Sequence, residues 1–102
     1  MSNAVYFNSY KLKKATSVPD FLEAISALFK ENIANAKGYI TSALLNDGET
    51  WADNVIMESK NALEQFTDAC HKSDITREIF SFMDFNGMKS HTFTLEFNGC
   101  FK

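Results

Sequence analysis

The chain has 102 residues, a formal charge of −3 at neutral pH, 45% apolar and 23% charged residues. Such a composition reads as one globular domain spanning residues 1–102 and excludes the weakly hydrophobic, highly charged mixture of a disordered segment. The negative balance, with one small basic cluster at Lys11, Lys13 and Lys14, argues against a nucleic-acid partner, and no apolar run approaches the roughly 20 residues that carry a helix across a bilayer, so no membrane partner is expected.

Residues 5–12 are rich in strand formers, and their alternation puts Tyr6, Asn8 and Tyr10 on one face and Val5 and Phe7 on the other. Ser17 is placed to cap a helix, with Pro19 in the first turn and Asp20 beside the positive helix end. Behind it Val18, Phe21, Leu22, Ile25, Leu28, Phe29, Ile33 and Ala36 recur at spacings of three and four, an apolar stripe that Gly38 ends. Residues 39–45 and 49–58 read as a β-hairpin about Asn46-Asp47-Gly48, residue types that accept the positive φ of a tight turn.

Ser59 caps a second helix whose buried stripe is Ala62, Leu63, Phe66, Ala69 and Cys70. A break at 71–73 leads to a shorter amphipathic segment bearing Ile75, Ile79, Phe80, Phe82 and Met83. Residues 84–90, which contain Asn86-Gly87, are expected as a loop. Residues 91–97 are expected as the last strand, with His91, Phe93, Leu95 and Phe97 on one face.

The order strand, helix, hairpin, helix, strand predicts an α+β fold, a ferredoxin-like βαββαβ sandwich with an antiparallel sheet. Each helix has one apolar stripe, so both must cover the same sheet face. The other face is then open, and is expected to carry Tyr6, Asn8 and Tyr10. Ten Phe, three Tyr and one Trp are more aromatic surface than one thin layer needs, which leaves a ligand cavity, a subunit interface or a well-packed core as uses for it. Pairing of two copies into a homodimer would cover an exposed sheet of this kind.

Several chemistries lack their residues. The chain has no Gly-rich phosphate loop, no Gly-x-Ser-x-Gly elbow and no metal-ligand repeat. Cys70-His71 has no second pair to complete a zinc site, so no metal is expected. Asp53 and Glu58 are separated by an odd number of positions and do not share a strand face, which removes a glycosidase-type carboxylate pair. Cys70 and Cys100 are expected as free thiols in a cytoplasmic setting, since neither a signal-peptide pattern nor a Cys-rich framework accompanies them.

The run 46–62, Asn46-Asp47-Gly48 followed by Glu49-Thr50-Trp51 and leading to Ser59-Lys60-Asn61-Ala62, resembles the dimeric α/β-barrel superfamily, and within it the antibiotic-biosynthesis-monooxygenase-like proteins. Residues 5–97 follow that family's order of elements. The resemblance implies a homodimer and an enzyme that needs no cofactor, in which an aromatic or quinol substrate supplies electrons to oxygen while the protein excludes water, orients the ring and stabilises charge. It also leaves an alternative, because many small members have no assigned activity: a non-catalytic homodimer that binds a small apolar ligand or acts as an interaction module. Asn8 corresponds in position to the asparagine of the haem-degrading branch, whereas Phe66 stands where that branch has a tryptophan and Thr76 where its haem ligand lies.

On this basis Asn8 and His91 are the candidate catalytic residues, polarising substrate oxygens, and Trp51, Phe66 and Phe80 the candidate apolar wall of the ligand site. Asparagine is depleted in strands and a buried amide must be satisfied, which sets Asn8 apart from its neighbours. A strand parity shifted by one residue would exchange the two faces, with Trp51 and Asn54 most affected.

Overall fold

The computed structural model describes residues 3–96, so Phe97 and Cys100 lie outside the described residues. Four strands, β1 (Ala4–Leu12), β2 (Tyr39–Asn46), β3 (Trp51–Met57) and β4 (Met83–Thr94), form one antiparallel sheet in the order β2-β3-β1-β4. Helices α1 (Val18–Leu28), α2 (Lys60–His71) and α3 (Asp74–Ser81) complete the ferredoxin-like α+β fold.

The local signals act as their chemistry dictates. Ser17 Oγ accepts from the Asp20 N–H at 3.3 Å and Ser59 Oγ from the Ala62 N–H at 3.1 Å, so each helix begins at its capping serine. At the hairpin tip Asp47 Oδ1 accepts from the N–H groups of Glu49 and Thr50, at 3.0 and 2.7 Å, and Gly48 takes φ +104°. These two bonds hold the Asp47 carboxyl below its usual pKa, with the Thr50 N–H the larger cause. Gly38 takes φ +87°, and its Cα packs so closely on Ala62 and Glu58 that a Cβ would lie 2.9 Å from each side chain.

Two elements depart from the sequence reading in their extent. The α1 stripe does not continue as α-helix but widens into a π-helical turn over Phe29–Ile33. Residues 84–90 are not a loop, because β4 runs through them with a bulge: residues 85–88 lie opposite Tyr10 alone, between the pairs Ser9–Lys89 and Lys11–Asp84. Asn86-Gly87 supplies the required backbone freedom, with Gly87 at φ +80° and the Asn86 N–H bonded to Asp84 Oδ1 at 2.9 Å.

The assignment of sheet faces is reversed. Ala4, Asn8 and Tyr10 are buried beneath the helices, and the alternation carries Tyr6 onto the same face. The open face instead carries Val5 and Phe7 with Ala43, Leu45, Ile56 and Phe93, side chains that share it through the strand register. Both faces of β1 are similarly apolar, so alternation defines the two sets without saying which one the helices cover.

Under the helices the core forms two clusters. One gathers Ala4, Val55, Met57, Leu63 and Phe66, the other Tyr10, Phe21, Ile25, Ile79 and Met83, and Leu28 and Phe29 touch both.

Candidate active site

The two clusters are separated by a polar row that crosses the sheet. In β1 the helix-facing positions run Ala4, Tyr6, Asn8, Tyr10, and in β3 they run Met57, Val55, Asp53, Trp51. Asn8 is paired with Asp53 on one side and with Ser90 on the other, so the polar residues of three strands share one line. Directly opposed residues of an antiparallel pair hold their Cβ atoms about 5 Å apart, which puts Asn8 and Asp53 within reach of a common ligand atom.

Above this row lies a cavity of about 100 Å³. Its floor is Tyr6, Asn8, Asp53 and Val55, its walls come from Ile25, Leu28 and Phe29, and α2 and α3 close it with Phe66, Cys70, Thr76 and Phe80. The π-helical turn adds Ile33 and helps to carry one continuous stretch of chain across both core clusters. Tyr6, Thr67 and His71 also line an outer groove of about 410 Å³ with Lys60, Glu64 and Thr92, so these three residues stand where the cavity meets the surface.

Asn8 is buried, and its Oδ1 accepts from Ser90 Oγ at 2.6 Å, which in turn is reached by the Tyr6 hydroxyl at 3.4 Å. Among the described residues nothing takes the Asn8 side-chain N–H, which leaves a donor at the cavity floor. Among the described residues Asp53 has no cationic partner, and burial pushes its carboxyl up to about 6 despite the opposing influence of the Tyr10 hydroxyl. Tyr10 is held above its usual pKa by burial first and by the Asp53 charge second. Its sealed hydroxyl lies beside that carboxyl without a hydrogen bond of normal geometry.

At the roof the Thr76 hydroxyl is sealed from solvent and unpartnered. Burial also pushes the neighbouring Cys70 thiol up to about 11, against a smaller pull from Thr76, so this thiol stays protonated at neutral pH. Apolar walls with a few convergent polar groups, one of them a carboxyl of raised pKa, are the features of a small-molecule site.

Asn8, Phe66 and Phe80 are therefore brought together at one cavity. His91 is not: register sets it opposite Phe7 on the open face, where its ring lies 5.6 Å from Phe93. Trp51 is on the helix-covered face but two positions beyond Asp53, packed edge-on against Phe21 at 5.2 Å and outside the cavity lining. Asp53 escaped the sequence reading, which weighed it only as half of a carboxylate pair. The signal was present, because Trp51, Asp53, Val55 and Met57 share a face on which an acid is out of place.

No protein-family model and no curated protein matches the sequence. Solved structures do match. A variant of SnoaB, a cofactor-independent oxygenase from Streptomyces nogalater, superposes with TM-score 0.81 and 9% identity over 96% of this chain and 97% of its own. The monooxygenase from the gene ActVA-Orf6 of Streptomyces coelicolor, in complex with nanaomycin D, gives TM-score 0.74 and 17% identity over 99% and 94%. A dimeric ferredoxin-like protein from an uncultured marine organism gives 0.74 and 11% over 100% and 95%. The likeness at these identities is one of fold, the ferredoxin-like fold.

Proposed function

We propose that this protein is a cofactor-independent monooxygenase-like enzyme that acts, as a homodimer, on a small aromatic or quinol-like compound held in the cavity between sheet and helices. The observation that carries the reading is the Asn8 N–H, which no described residue takes, at the floor of a largely apolar cavity among the aromatic rings of Phe29, Phe66 and Phe80. The fold shared with two oxygenases supports it.

The chemistry asks little of the protein. An electron-rich hydroxyarene and O₂ give a quinone and water: the ring supplies the electrons, one oxygen atom enters it and the other leaves as water. Asn8 orients the substrate oxygen and stabilises charge that develops on it, and the apolar walls keep water from intermediates. Apolar cavities of about 150 Å³ accept benzene, so about 100 Å³ takes at most one ring, and a larger ring system extends past Tyr6, Thr67 and His71 into the outer groove.

The homodimer reading rests on the open face, where Val5, Phe7, Leu45, Ile56 and Phe93 leave an apolar surface that a second copy would cover. His91 belongs to that surface and would act between subunits. The non-catalytic alternative, a homodimeric small-ligand binder, draws on the small size of the cavity.

Oxygen uptake by the purified protein with single-ring and fused-ring hydroxyarenes tests the reading. Uptake that Asn8→Ala abolishes is the expected result. Stoichiometric ligand retention without uptake would replace the enzyme by the binder.

A further inference from the structure

Asp53 is the polar group that neither the fold nor the oxygenase reading uses. It lies on the cavity floor, partly buried and, among the described residues, without a cation, although a carboxylate in such a place is normally paired or hydrogen-bonded. Its cross-strand neighbour Asn8 offers a donor that no described residue takes. An acceptor and a donor side by side, in a largely apolar cavity that takes at most one ring, match a group that both gives and accepts a hydrogen bond.

We propose that Asp53 is the proton acceptor of this site: an aromatic hydroxyl donates to its carboxylate while accepting from the Asn8 N–H. This inference deepens the oxygenase reading and gives the proton a destination. When the ring passes one electron to O₂, its hydroxyl becomes strongly acidic, and the proton moves to Asp53 to leave a neutral phenoxyl radical beside superoxide. The same proton returns to the peroxide formed when the two recombine. Burial readies Asp53 to accept by raising its proton affinity, and the return is downhill because a peroxide anion is far more basic than a carboxylate.

An ammonium group fits less well. It would bring three donors and no acceptor, so the Asn8 N–H would stay unpaired beneath it. A neutral arene without a hydroxyl would leave Asp53 and Asn8 unpaired under it, at a cost in affinity.

Binding tests this without turnover. Phenol and anisole have similar rings, but anisole has no proton to give. Titrations of the intact protein, followed by NMR or calorimetry at pH 7.5, should show phenol bound about tenfold or more tightly than anisole, the factor expected for a hydrogen bond to a charged group. Asp53→Leu should remove the preference, and Asp53→Asn should reduce it. The unmodified protein provides a check that needs no variant: the preference should fall as pH is lowered through about 6, where Asp53 takes up a proton.

The other ionisable groups lining the cavity are Tyr6 on β1 and Cys70 and His71 on α2, Tyr10 lies beside the carboxyl, and α1 and α3 contribute none. Histidine as a residue type titrates in the same range, so the pH series is repeated in His71→Gln, where the transition should persist. Equal affinity for phenol and anisole, a preference that survives Asp53→Leu, no phenol binding at millimolar concentration, or benzylamine binding more tightly than phenol would each overturn the inference. Phenol discrimination without oxygen uptake would keep it and discard the oxygenase.

Discussion

Ser90 on β4 donates its hydroxyl to Asn8 Oδ1 on β1 across 2.6 Å, and this bond decides which end of the amide faces the cavity. With the oxygen engaged at the sheet, the N–H end is left for a ligand. Ser90→Ala should therefore lower ligand affinity more than it lowers stability. The expected stability loss is about 1 kcal/mol, the usual net worth of one such bond, read from urea unfolding alongside the phenol titration.

Asp53 should be a burden on the fold at neutral pH. Its pKa rises from an unfolded value of 3.8 to about 6, so the native state binds more protons than the unfolded state between those limits. The stabilisation from the protonated form is complete below about 4 and is lost as pH rises through 6. Asp53→Asn should accordingly gain on the order of 2 kcal/mol at pH 7, with the gain vanishing near pH 4. Chemical denaturation of both proteins at pH 4, 5, 6 and 7 measures the difference, and a gain independent of pH would contradict the assignment.

Cys70 should resist alkylation. Its thiol is pushed up to about 11, so little thiolate exists at pH 8. Peptide mapping after a timed iodoacetamide pulse should show Cys70 labelled far more slowly in the folded protein than in urea.

Gly38→Ala combines a left-handed backbone angle with two contacts at 2.9 Å, against Ala62 on α2 and Glu58 just before it. A loss of about 1–3 kcal/mol is expected, seen as a lower urea midpoint with an unchanged slope.

Phe93 is half exposed on the open face, so a charge there should cost the isolated subunit little. Phe93→Asp should weaken self-association by tenfold or more in sedimentation equilibrium, roughly the effect of losing one buried aromatic contact. A wild-type protein that sediments as a monomer at micromolar concentration would remove the sheet-pairing argument.

Much of the framework was readable in the residues because its causes are local. Ser17, Ser59 and Asp47 each satisfy a backbone N–H a few positions away, and such bonds leave a mark in the sequence. The facing of the sheet was not readable in the same way. Tyr6 and Tyr10 against Val5 and Phe7 is nearly a tie in polarity, and the tie is broken by contacts with α1, α2 and α3 that are distant in sequence. Asn86-Gly87 announced an unusual backbone without saying whether a loop or a bulge would use it. Asn8 stood out as a polar residue among aromatics, whereas Asp53 became conspicuous only once its face was known to be covered.

The polar row across the sheet also bears on how the molecule melts. Asn8 and Asp53 divide the apolar interior into two parts bridged mainly by Leu28 and Phe29, with the cavity at the junction. A ring seated there would touch Val55, Ile33 and Phe66 on one side and Ile25, Ile79 and Met83 on the other. It would act as a keystone, tying two loosely joined halves into one thermal unit. Occupancy should thus raise the melting temperature and also bring the van't Hoff enthalpy closer to the calorimetric one.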